Sequence, residues 1–208
     1  SRGVTVEELS RDEVGRFTGA TRHDQGIAAR VRLLGVTELS AFVESRKGAV
    51  ARHPTRLLGL DGVTNPQNVG MIVRSVVGAG LDGLLWPRTG QPWVSGLVVR
   101  AASGAIFECP IVLCDSLAAG LADLHAAGFT SLGLDAGAPE SLFARSAPHR
   151  AVYVLGGETT GLSETIRVQL DRRVSIPMAG RLESLNVAVA AGLVCFHAAG
   201  RLGVDRVA

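Results

Sequence analysis

Asn68 and Arg74 stand six residues apart at the start of a segment with helical apolar spacing. An arginine fork recognises phosphate well. The plain structural alternative is an N-cap followed by a solvated arginine on a core helix. A second polar stretch, Gly156-Gly157-Glu158-Thr159-Thr160-Gly161-Leu162-Ser163, follows a buried-strand pattern. Paired glycines let a ligand approach the backbone closely. Here the alternative is a tight turn, with Ser163 capping the next helix. The third stretch, Ile176-Pro177-Met178-Ala179-Gly180-Arg181-Leu182-Glu183-Ser184-Leu185-Asn186, carries Ser184 and Asn186 into a nearly all-apolar helix. If Ser184 caps that helix, Asn186 is left beside a buried run, and such polar groups usually have a partner.

The elements that must position these residues alternate regularly from about residue 56. Residues 57–60 read as a buried strand ending in the turn-rich 61–68. Val69, Ile72, Val73, Val76 and Val77 recur at helical spacing, with Asn68 placed as N-cap. Strands are expected at 81–86, 110–113, 129–134, 151–155 and 173–176, and helices at 95–102, 116–127, 163–170 and 185–201. Such alternation predicts an α/β fold, a parallel sheet flanked by helices on both faces. Ligands in such sheets bind beyond the carboxyl ends of the strands. That rule selects the loops 61–68, 156–162 and 177–184. Residues 1–52 are more charged and carry only short apolar runs. A strand at 4–6, a capping box Ser10-Arg11-Asp12-Glu13, a helix at 41–47 and a basic connector at 46–56 are expected there.

Several chemistries lack their signatures. Gly78-Ala79-Gly80-Leu81-Asp82-Gly83 has the GxGxxG spacing. It follows a helix and precedes a strand, the reverse of the dinucleotide-binding context. Lys47, the single lysine, lies in no phosphate-binding loop, and no GxSxG elbow occurs. The five histidines show no metal-type spacing, so no metal is expected. Cys109, Cys114 and Cys195 form no CxxC pair, which suggests reduced thiols in a cytoplasmic protein. The longest apolar run, in 187–196, is too short for a bilayer, so no membrane partner is expected. The 208 residues are 47% hydrophobic with 26 glycines and 4% aromatics, a composition suited to parallel strands and helices. A net charge of +2 is too small to argue for nucleic acid by itself. The chain begins without Met, and an upstream segment is expected.

Three polar loops in this order resemble the three motifs of the SpoU-type (TrmH-like) RNA 2′-O-ribose methyltransferases of the SPOUT superfamily. The first is Asn68-Val69-Gly70-Met71-Ile72-Val73-Arg74. The second is Leu155-Gly156-Gly157-Glu158 with Gly161-Leu162-Ser163. The third is Ile176-Pro177-Met178 with Glu183-Ser184-Leu185-Asn186-Val187-Ala188-Val189-Ala190-Ala191-Gly192. The resemblance covers about residues 56–203. Gly157 stands where the family often has Asn or Ser, and Ala188 where it often has Ser.

The resemblance implies a C-terminal deep trefoil knot, which no topology rule would predict. It implies S-adenosyl-L-methionine as cofactor, held by Gly156, Ile176, Met178 and Leu185, and a homodimer. It places Asn68, Arg74, Glu158, Ser184 and Asn186 at the chemistry. Arg74 would activate the ribose hydroxyl. A guanidinium with a pKa above ~12 is a weak base, so fixing phosphate and stabilising developing charge is the more cautious role. Asn68, Ser184 and Asn186 would orient the hydroxyl and the cofactor, and Glu158 would pair with an arginine. The SpoU domain is expected over 53–208. Residues 1–52 resemble the tail and linker of a ribosomal-protein-like RNA-binding domain, through His23-Asp24-Gln25-Gly26-Ile27-Ala28-Ala29. Ribosomal RNA is the expected substrate. A tRNA methyltransferase and a non-catalytic RNA-binding homologue are the alternatives.

Overall fold

The computed structural model describes residues 5–18, 26–47, 53–89, 94–179 and 184–202. The chain divides into two units, Ser1–Leu33 and Leu34–Ala208. In the first, helix α1 (Arg11–Thr18) starts at the expected capping box. The Glu13 carboxylate accepts from the Ser10 hydroxyl at 2.6 Å and from its amide at 2.9 Å. Those bonds hold the Glu13 carboxyl below its usual pKa. Residues 5 and 6 take no regular structure and Val6 is exposed, so the strand expected at 4–6 does not form there. A strand needs a neighbour to satisfy its backbone, and alternation over three residues supplies none. Residue 4 and residues 23–25 of the 23–29 motif lie outside the described residues.

The second unit is built on seven parallel strands. They are β1 (Val36–Glu38), β2 (Thr55–Asp61), β3 (Gly83–Pro87), β4 (Ile111–Cys114), β5 (Thr130–Leu134), β6 (Arg150–Gly156) and β7 (Arg172–Val174). Their order is β1-β4-β3-β2-β6-β5-β7, and every pairing is parallel. The central strands β2 and β3 are buried along almost their whole length, as sheets covered on both faces require. Helices α2 (Leu39–Ser45), α5 (Leu117–Ala126) and α6 (Glu164–Arg167) share a core with Leu57, Val152 and Val154 on one face. Alternate residues such as Leu58, Tyr153 and Leu155 are equally buried and point the other way. On that side pack α3 (Pro66–Ala79), α4 (Gly96–Ala101) and α7 (Val187–Ala198).

The sheet begins earlier than residue 53. Val36 pairs with Ile111, so β1 and α2 belong to the sheet unit. This edge strand is largely exposed and three residues long, and it carries little hydrophobic signal. The GxGxxG segment is a helix stop. Gly80 adopts φ 74°, and its N–H donates to the carbonyls of Val76 and Val77.

Candidate cofactor and acceptor site

Three strand ends converge on one place. β6 runs into a loop that folds back on itself, with Gly161 N donating to Gly157 O at 2.9 Å. A Cβ on Gly156 would lie 2.1 Å from the Gly161 carbonyl carbon, and one on Gly157 2.8 Å from the Gly62 oxygen. Backbone-to-backbone contact therefore requires glycine at 156, while a side chain at 157 would have to displace the Gly62 carbonyl. Ser163 N donates to Asp61 Oδ2 at 2.6 Å, tying this loop to the end of β2.

The caps differ from the sequence expectation, and the difference frees the polar groups for other work. Asn65, not Asn68, caps α3, accepting from Gln67 N at 2.9 Å with Pro66 in the first turn. Proline fits that turn because its missing N–H needs no partner there. Asn68 is thus one turn inside the helix, only 5% exposed, and donates Nδ2 to Glu158 Oε1 at 3.0 Å. Asn186, not Ser184, caps α7. Its Oδ1 accepts from Ala188 N at 2.9 Å and Val189 N at 3.4 Å. With the oxygen turned to the helix, Nδ2 faces the other way. It donates to Glu158 Oε1 at 2.6 Å and to Asn68 Oδ1 at 3.2 Å. One carboxylate oxygen therefore gathers both amides. The partner that Asn186 requires is Glu158, and among the described residues Glu158 pairs with two asparagines and no arginine.

This cluster lies at the wall of a cavity of about 350 Å³. Gly156, Ile176, Met178 and Leu185 line it, together with Glu158, Ser184 and Asn186. Leu134 and Ala136 line it too. They sit at and just beyond the end of β5, a strand edge whose loop carried no distinctive polar pattern. Aliphatic walls with a thioether suit a flat apolar base, and the polar end suits a sugar and an amino-acid tail. Arg74 is not part of this group. It is exposed on α3 and lines neither this cavity nor its neighbour. Residues 180–183 lie outside the described residues. The three cysteines are buried and unpaired, and burial pushes their thiols up to about 12. They are neutral at pH 7 and poor nucleophiles. Among the described residues, no three His, Cys, Asp or Glu side chains are placed to hold a metal. No described helix is long and apolar enough to cross a membrane.

Residues 55–196 match the SpoU rRNA Methylase family. The chain belongs to this family. Over 192 residues it is 36% identical to an uncharacterized tRNA/rRNA methyltransferase of Mycobacterium avium (strain 104), covering 92% of this chain and 61% of that protein. Over 200 residues it is 36% identical to the 23S rRNA (guanosine-2′-O-)-methyltransferase RlmB of Xanthomonas axonopodis pv. citri (strain 306), covering 95% and 78%. The chain thus spans less than two thirds of the length of the mycobacterial relative. Its fold matches the SpoU methyltransferase AviRb from Streptomyces viridochromogenes, solved in complex with AdoMet, with a TM-score of 0.66 and 29% identity. That match covers 72% of this chain and 61% of AviRb. Within the SpoU match, β2 through most of α7 form one continuous unit that carries all three polar loops.

Proposed function

We propose that this SpoU chain transfers a methyl group from S-adenosyl-L-methionine to a ribose 2′-hydroxyl of RNA, ribosomal RNA before tRNA. The observation that carries the reading is the Asn68–Glu158–Asn186 cluster, which joins three distant loops at the polar end of the cavity. The AdoMet-bound AviRb supports the cofactor, and the RlmB relative supports the ribosomal substrate. A specific finding keeps tRNA as the second reading. The fold also matches, at TM-score 0.63 and 29% identity, a structure concerned with 2-OH methylation of C/U34 on tRNA.

The cofactor supplies an electrophilic methyl on sulfonium. The chain's own residues must bind the acceptor, align its 2′-oxygen and dispose of its proton. Gly156, Ile176, Met178 and Leu185 hold the adenosyl part by backbone approach and apolar contact. Asn68 and Asn186 fix Glu158, and with Ser184 they orient the reacting groups. Glu158, which lines the cavity, would accept that proton. Arg74 meets an RNA phosphate from the surface and stabilises developing charge.

A homodimer completes the molecule. α7 is apolar around nearly its whole circumference, yet Val189 is 55% exposed, and Met71 on neighbouring α3 is 41% exposed. A second copy covers that face. The C-terminal segment carries the deep trefoil knot of the superfamily. The N-terminal unit is the tail of an RNA-binding domain, and the protein works in the cytoplasm. Calorimetry with S-adenosylhomocysteine tests the core of the reading and should give one site per chain. Transfer of labelled methyl to ribosomal RNA, mapped to a 2′-oxygen by mass spectrometry, tests the rest. A folded protein that releases no binding heat would sink the cofactor assignment.

A further inference from the structure

A second, smaller cavity of about 130 Å³ adjoins the cofactor cavity. The two share Gly157, Glu158 and Val187 as walls. The remaining walls come from the β2–α3 loop, with Thr64 and Asn65, from Asn68 in the first turn of α3, and from Thr159 and Thr160 beyond β6. Among the described residues, the hydroxyls of Thr64, Thr159 and Thr160 have no partner. Asn65 uses its oxygen to cap α3, which leaves its amide N–H groups unused. The lobe is therefore ringed by neutral donors and acceptors that the fold itself does not need. Its single charge is the Glu158 carboxylate, which repels phosphate. An uncharged ligand with hydrogen-bonding edges is what these walls recognise. The space is well under half that of the cofactor cavity, so it takes one unstacked unit and not a helix. RNA recognition that depends on sequence targets such splayed-out bases, read along their exposed edges.

We infer that the smaller cavity seats the base of the acceptor nucleotide, which places its ribose at the Glu158 partition beside the methyl donor. This rests on the methyltransferase reading above. The threonine hydroxyls and the Asn65 amide then read the base edge, and Glu158 faces the ribose from between the two lobes. The phosphates stay outside, where the exposed Arg74 is.

The test uses the full chain and a short RNA containing the mapped acceptor, with a partner RNA that is abasic at that nucleotide. Wild type should lose roughly tenfold in kcat/KM on the abasic RNA, the scale of one or two lost hydrogen bonds. Thr160→Phe fills the lobe from an exposed position. It should lower kcat/KM on the parent RNA by a similar factor, show no further loss on the abasic RNA, and leave S-adenosylhomocysteine affinity unchanged. Thr64→Leu should behave likewise, and Thr64→Ser should retain activity. A wild type that methylates both RNAs equally well overturns the base-seating inference alone. So do Thr160→Phe and Thr64→Leu variants with unaltered kcat/KM. A wild type that binds S-adenosylhomocysteine but methylates no RNA overturns this inference and the functional reading together.

Discussion

The side-chain amide of Asn186 donates to Asn68 Oδ1 at 3.2 Å, across 118 residues of chain. The cap of α7 and the first turn of α3 are thereby joined, with Glu158 accepting from both. Asn186 thus does two separable things. Its oxygen holds a helix start and its nitrogen holds the site.

Substitution separates them. Asn186→Ala should remove the cap, at a cost of about 0.5–2 kcal/mol, and also release Glu158. Asn186→Ser keeps a capping oxygen on a side chain too short to reach Glu158. Denaturant melts should place the serine variant close to wild type and the alanine variant below it. Methyl transfer should fall by a similar, large factor in both. A fully active serine variant would show that the bond to Glu158 is dispensable.

The glycine loop gives a second contrast. At Gly156 a Cβ would meet the Gly161 backbone at 2.1 Å, and backbone on both sides cannot yield cheaply. Gly161 itself has φ 64° but open space around its Cβ position. Gly156→Ala should therefore displace the loop and abolish S-adenosylhomocysteine binding. Gly161→Ala should cost roughly 1–2 kcal/mol of backbone strain and retain measurable binding. Equal cofactor affinity in wild type and Gly156→Ala would disprove the close-contact argument.

Much of this arrangement was legible in the sequence, because parallel strands buried on both faces announce themselves as short apolar runs between turn residues. Every strand from β2 to β7 lies within a few residues of its expected place. What failed were features decided by partners distant in sequence. Asn68 has the right residue type for a cap and local pattern favours it, and Ser184 is the plain structural alternative at the third loop. Asn65 and Asn186 take those roles, and Glu158, about 90 and 30 residues from Asn68 and Asn186, accepts from their amides. The edge strand β1 was missed because one half-buried valine in three residues has no periodicity to detect. Arg74, which the motif places at the chemistry, lies on the surface of α3.

That surface makes the third prediction. Val189 and Met71 are exposed on adjacent helices, with α3 and α7 packed together. If a second copy covers them, Val189→Glu places a charge in a desolvated interface, which is strongly unfavourable. Sedimentation should show a wild-type dimer and a variant shifted to monomer, with the variant's far-ultraviolet circular dichroism unchanged. A wild type that sediments as a monomer at micromolar concentration would refute the dimer outright.

The last prediction concerns pH. His197 sits in the final turn of α7, half-buried, with its ring edge-on to Phe143 at 5.7 Å and 80°. Burial lowers its pKa, and a hydrogen bond with the Arg145 backbone opposes the shift without cancelling it. The folded protein therefore holds this imidazole neutral at pH values where the unfolded chain, titrating near 6.5, already binds a proton. Between those two pKa values the unfolded state carries more protons, so stability rises with pH. The contribution is complete above the unfolded value and is lost as pH falls through the folded one. Acidification from about pH 7 to about pH 5 should lower Tm more in wild type than in His197→Gln, which keeps polarity without titrating there. His197→Phe serves as a second variant that retains an aromatic edge against Phe143. Carboxylates elsewhere titrate in all three proteins alike, so the difference between their Tm profiles isolates His197. Parallel profiles across that range would show that burial does not couple this histidine to folding.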